Sequence, residues 1–117
     1  MSRTRTLAFL SAALLVSLPA LAHHGWGSYD ADKALTVTAA LAEVQYRNPH
    51  AEVVVDHDGK TWQVVLAPVS RMTARGLADG ALVAGKEVTI EGYPRTDGTA
   101  ELRAERITVD GNTIELR

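Results

Sequence analysis

Leu35-Thr36-Val37-Thr38-Ala39-Ala40-Leu41-Ala42-Glu43-Val44-Gln45-Tyr46 is the stretch on which the fold turns. Its apolar residues fall on odd positions at Leu35, Val37, Ala39 and Leu41, then on even positions at Ala42, Val44 and Tyr46. Alternation of this kind marks a half-buried strand. A change of phase inside such a strand would turn its second half's apolar side chains to solvent unless a bulge or sharp bend intervenes. The stretch therefore predicts a long, strongly curved first strand, the shape that lets a small sheet close on itself.

Downstream, Asn48-Pro49 breaks this strand, and Ala51 to Asp56 restarts as a second one carrying Val53, Val54 and Val55. Asp58-Gly59 is a hairpin signal into a third strand, Thr61 to Ala67, with Trp62, Val64 and Leu66 on one face. Pro68 ends that strand and can open a short helix, with Ser70 as cap, Arg71 to Arg75 as body and Gly76 as its left-handed stop. Val69, Met72 and Leu77 form its expected buried edge, and Arg71 and Arg75 an exposed i, i+4 pair. After a turn near Asp79 to Ala84, a fourth strand opens at Gly85-Lys86, carries Val88 and Ile90, and ends at Gly92-Tyr93-Pro94. Asp97-Gly98 turns the chain into a fifth strand, Glu101 to Val109, where Leu102 and Ala104 give way to Ile107 and Val109, a second phase switch and a second expected bulge. Asp110-Gly111 returns it into a closing strand, Thr113 to Leu116.

Three strands, a helix, then two or three strands is the order of the OB-fold. The expected fold is all-β with one short helix, a small five- to six-stranded OB-like Greek-key barrel over residues 35–117. An open α+β sheet or an SH3-like barrel is the alternative, and the helix inserted between strands three and four favours OB.

Upstream, Gly25 to Lys33 has neither a period of two nor of 3.6 and mixes turn formers with Trp26 and Tyr29. Residues 23–34 read as an irregular arm, pinned to the domain by those two aromatics. Before it, Arg3 and Arg5 precede an apolar run from Leu7 to Leu18, and Ala20-Leu21-Ala22 has the small-x-small pattern of a signal-peptidase site. The run falls short of the roughly 20 residues that cross a bilayer. Residues 1–22 are thus expected to be a secretory signal peptide, leaving a periplasmic or secreted protein that begins at His23 and keeps no membrane anchor.

The chain holds 117 residues, 12 Lys and Arg against 14 Asp and Glu, and no cysteine. Removal of residues 1–22 takes away two arginines and no acid, so the remainder is mildly acidic. Charge and compartment both argue against nucleic acid as a partner. Without cysteine there are no disulfides, no thiolate metal sites and no thiol nucleophile. No serine has a nucleophile-elbow context and no glycine loop suits a phosphate, so no catalytic pair stands out.

The chemistry that remains is histidine chemistry. All four histidines, His23, His24, His50 and His57, follow the expected cleavage point. A chain beginning His23-His24 can chelate copper(II) in two ways. It can use its amine and the His23 imidazole with a third nitrogen from elsewhere, or its amine, the deprotonated amide of residue two and the His24 imidazole. Nitrogen-rich, near-planar coordination is what Cu(II) prefers, with Zn(II) or Ni(II) as other candidates. His50, just after the Asn48-Pro49 break, can supply the third nitrogen. Its ordinary reading is a hydrogen-bonded turn residue. His57, beside a hairpin tip, reads as solvated. Glu43, Glu52, Asp56, Asp58, Asp30 and Asp32 could give an oxygen ligand, but no spacing joins them. Arg71, Arg75, Arg95, Arg103 and Arg106 could form a basic face.

Several segments together carry a resemblance: the leader, His23-His24-Gly25-Trp26, Tyr29-Asp30, Val44-Gln45-Tyr46-Arg47-Asn48-Pro49-His50, the Trp62 strand, Arg75-Gly76-Leu77, Gly85 to Tyr93 and Arg103 to Ile107. The chain resembles a family of short exported bacterial proteins of undetermined function, over essentially all of residues 23–117. A tryptophan often stands in that family where Leu77 stands here, a difference that touches packing. The resemblance implies a periplasmic single-domain protein and groups His23, His24 and His50 as a set.

The resulting expectation is a barrel that binds a divalent transition metal, copper foremost, through His23 and His24 with His50. The alternative is a metal-free module that holds a small ligand, an envelope saccharide or an envelope protein with the barrel face and the loops around Trp62, Tyr93 and Arg95. A third reading, a copper oxidoreductase built on a histidine brace, would need an open coordination position and a substrate surface.

Overall fold

The sharp bend expected in the first strand is built by a single inserted residue. In the computed structural model, which describes residues 25–117, β1 (Leu35–Gln45) gives Leu35 to Ala40 to β4 (Glu87–Pro94) and Leu41 to Gln45 to β2 (Glu52–His57). The register slips between Leu41, paired with Val55, and Glu43, paired with Val54, so Ala42 is the extra residue. That is where the apolar phase changes. The second bulge also stands where expected: on β5 (Glu101–Val109), Ala104 faces Gly92 and Arg106 faces Glu91, leaving Glu105 as the insertion.

β3 (Lys60–Val65) follows β2 through a tight turn in which Asp58 and Gly59 both take positive φ, the geometry that suits a two-residue hairpin. The strands then run β3-β2-β1-β4-β5, and β3 closes on β5 in parallel, Gln63 to Val65 against Glu101 to Arg103. This is a closed five-stranded OB barrel. β6 (Asn112–Glu115) is added to β5 as a hairpin partner beyond the barrel.

The inward side chains of every strand meet in one core, including Val37, Leu41, Val53, Val55, Trp62, Val64, Ile90, Leu102 and Ile107. α1 (Val69–Ala74) adds Met72, fully enclosed, and Leu77 follows it in. The helix starts earlier than expected, with Pro68 rather than Ser70 at its cap position and no side-chain cap. Pro68 suits that place because it has no N–H to leave unsatisfied. Gly76, at φ +103, ends it as expected. Arg71 and Arg75 are not a free surface pair. Arg71 Nη1 donates to the Leu116 carbonyl at 3.0 Å, and Arg75 Nη1 to the carbonyls of Glu115 and Arg117 at 2.7 and 2.9 Å. They cap the outer end of β6, an edge that would otherwise offer bare carbonyls.

The leader expected at residues 1–22, together with His23 and His24, lies outside the described residues. Among the described residues no helix is long and apolar enough to cross a membrane.

Candidate functional site

The arm is fastened to the outside of the barrel at two levels of β5. At the first, Tyr29 forms an isolated antiparallel bridge with Arg95, flanked by Asp30 N donating to Pro94 O at 2.8 Å and Thr96 N to Ser28 O at 3.0 Å. The Tyr29 hydroxyl donates to Glu101 Oε2 at 2.7 Å, and Arg95 Nη1 donates to the same oxygen at 3.2 Å while its guanidinium lies 5.8 Å over the Tyr29 ring. Burial, then the Glu101 bond, pushes the Tyr29 phenol up to about 12. The same Glu101 bond raises Arg95, and the backbone N–H of Thr99 holds Asp97, an ion-pair partner of Arg95, below its usual range.

At the second level a 3-10 turn, Trp26–Ser28, lays Trp26 against Arg103 and Arg117, whose guanidinium carbons stand 4.8 and 4.4 Å from the ring centre. Tyr93 meets the ring edge-on at 6.1 Å. A cation held over an indole face is attracted by the ring's quadrupole, worth about 0.5–2 kcal/mol. Trp26 and Tyr29 pin the arm as expected. The sequence does not single out their partners: Arg103 reads as one of five arginines that could form a basic face, and Arg117 carries no signal. A hint was present, since Arg103 stands between the two apolar residues Leu102 and Ala104, and an arm tryptophan needs a surface to cover.

Beyond Arg103 on the same strand lies the bulge residue Glu105. Its Oε2 is buried and accepts no hydrogen bond, with Arg117 Nη1 3.7 Å away. Glu105 was not among the acids considered as ligands. The phase switch that predicts the bulge is the signal that would have found it, because a bulge re-aims the side chain it inserts.

His50 is half-buried at the start of β2, after a cis Asn48–Pro49 bond. It lines a hollow of about 260 Å³ with Gln45, Arg47, Asn48, Pro49 and Glu52. His50 and Glu52 alternate with buried Ala51 and Val53, so they face outward. The β2–β3 pairing continues through Ala51 N to Ala67 O at 2.8 Å and Leu66 N to Ala51 O at 2.9 Å. His57 instead sits at the hairpin with Asp58, 3.4 Å from its carboxylate.

Glu43 and Glu52 line one hollow, and among the described residues no three of His, Cys, Asp or Glu are grouped to hold a metal. The arginines that could have formed a basic face are each engaged within the fold. Arg71 and Arg75 bind backbone, Arg95 binds Glu101, Arg103 covers Trp26, and Arg106 bridges Glu91 and Glu115 at 3.1 and 2.9 Å. Trp62, expected near a ligand-binding loop, is a core residue only 8% exposed. A polar trough runs instead across the outside of β1, β2 and β3, where Glu43, Gln45, Glu52, Val54 and Gln63 line a hollow that shares Gln45 and Glu52 with the His50 hollow.

The model of a family of unknown function, DUF6152, matches residues 12–103 of the chain. No curated protein matches it.

Proposed function

We propose that this chain, which belongs to the DUF6152 family of unknown function, is an exported protein that binds a divalent transition metal, copper(II) foremost, through His23 and His24 at a processed amino terminus, with His50 as a further nitrogen ligand. One observation carries the reading. The arm is fixed to the barrel from Trp26 onward, only two residues after His24. A terminal His-His peptide on a free tether would bind copper as any such peptide does. One held against a barrel starts with much of its ordering entropy already lost, which favours a defined site.

The test is a Cu(II) titration of protein beginning at His23, against the same protein with its terminal amine acetylated. Trp26, two residues after His24, serves as the reporter through fluorescence quenching. We expect one-to-one binding that weakens at least tenfold on acetylation, because both chelation modes use the free amine. Equal and weak binding by both proteins would remove the metal reading.

A second reading is favoured by the trough on β1, β2 and β3. Carboxylate and carboxamide side chains in a row can pair with the hydroxyls of a small polar ligand such as a saccharide, on the face that OB-folds commonly use. Binding of neutral oligosaccharides that is lost in Glu52→Ala, with no copper response, would support it.

A further inference from the structure

We propose that Asp79-Gly80, on the loop between α1 and β4, is where the folded protein isomerises to a β-linked isoaspartate through a cyclic imide. Neither the metal nor the trough bears on it.

The chain carries Asp-Gly pairs at Asp58, Asp79, Asp97 and Asp110. In such a pair the glycine backbone nitrogen attacks the Cγ of the protonated acid. A new N–Cγ bond closes the imide, and the acid's OH leaves with the amide hydrogen as water. Water then adds to either imide carbonyl and breaks its bond to nitrogen. One opening restores aspartate, and the other leaves the main chain running through the side-chain carboxyl. Glycine offers no Cβ to hinder the attack, so the pairs are alike in an unfolded chain. The fold makes them differ.

Asp58 and Asp110 hold left-handed backbone, at φ 49 and 50, in the turns of the β2–β3 and β5–β6 hairpins. Bringing either carboxyl onto its glycine nitrogen means opening a strand pair, and Asp110 is also ion-paired with Lys86. Asp97 accepts from the Thr99 N–H at 2.9 Å and lies 3.3 Å from Arg95 Nε, while the Gly98 N–H donates to the Arg95 carbonyl at 3.4 Å. The Thr99 bond holds that carboxyl below its usual range, so less of it carries the proton the attack requires.

Asp79 is exposed and outside every helix and strand. Among the described residues neither its carboxylate nor the Gly80 N–H makes a hydrogen bond or ion pair. A single bond, Ala81 N to Ala78 O at 3.1 Å, closes the turn. Such a turn opens locally while the sheet stays paired. The product adds a methylene to the main chain between buried Leu77 and Leu82 and exposes a new α-carboxylate, the group that protein carboxyl methyltransferases esterify.

Trypsin puts each pair on its own peptide, 48–60, 76–86, 96–103 and 107–117. Folded protein and protein unfolded in urea are held at about pH 5, where part of the carboxyl is protonated. Isoaspartate on each peptide is followed by methyltransferase labelling and mass spectrometry. In the folded protein, peptide 76–86 should gain isoaspartate at least about tenfold faster than the other three, the difference that local opening makes. In urea the four rates should converge. Asp79→Glu, which would need a larger ring, should remove the label from that peptide and leave the others as they were. Equal rates in the folded protein, a faster rate at another pair, or the same ranking in urea would overturn the proposal.

Discussion

Tyr29 holds the arm by a hydroxyl that works only while it keeps its proton. The ring is 5% exposed and its hydroxyl donates to Glu101. Burial first, and the Glu101 bond and charge next, outweigh the opposing pull of Arg103 and Arg95 and raise the phenol from 10.0 to about 12. The folded chain thus binds this proton more tightly than the unfolded chain. The stability that follows is fully present below pH 10 and is lost as pH rises from 10 to 12. Urea midpoints across that window should fall more steeply for the wild type than for Tyr29→Phe, and the highest-pH step in tyrosinate absorbance should vanish in the variant. At neutral pH the same substitution should cost about 1 kcal/mol, the worth of one hydrogen bond, because Glu101 keeps Arg95. Parallel pH curves for the two proteins would mean that Tyr29 anchors by its ring alone.

Between strands the controlling detail is how closely β4 and β5 approach at the second bulge. A Cβ built on Gly92 would stand 2.6 Å from the Arg103 carbonyl oxygen and 3.1 Å from the Ala104 Cα, both backbone atoms. Neither can turn aside as a side chain would. Gly92→Ala should therefore destabilise the barrel by about 1–3 kcal/mol, as overpacking does, and should loosen Arg103 beneath Trp26. A chemical-denaturation midpoint within error of wild type would show that the bulge can open at no cost. Both bulges were legible in the sequence, because alternation is a strict period and its break can be explained only by an insertion. The hairpins at Asp58-Gly59 and Asp110-Gly111 were legible for a similar reason, since positive φ restricts the residue types that fit. The parallel closure of β3 on β5 and the partners of Trp26 were not. They depend on which outward residues come together once the barrel has formed, and Arg103 looks the same in sequence whether it faces water or an indole. The proposed metal ligands are legible only as residue types, since residues far apart in the chain carry no shared period.

As a whole the molecule is a closed barrel with one irregular strap laid along β5. The strands pair in a closed ring, and the outer end of β6 is capped by Arg71 and Arg75. The metal proposed at His23, His24 and His50 would join the strap to the β1–β2 turn. Any ligand that binds only the folded form stabilises it by mass action, about 2.7 kcal/mol at a hundredfold excess over Kd. For a domain of this size that is a rise in Tm on the order of 10 °C. The ligand nitrogens must be unprotonated, and ordinary imidazoles and terminal amines take up protons near pH 6.5 and pH 8. The gain should therefore keep growing until the terminal amine is free, above about pH 8, and be lost toward about pH 5. His50→Ala should reduce it by severalfold in apparent affinity, and acetylation of the terminal amine by at least tenfold. A copper-induced rise that survives at pH 5, or that is undiminished in the acetylated protein, would place the metal elsewhere and leave His57 with Asp58 as the next residues to test.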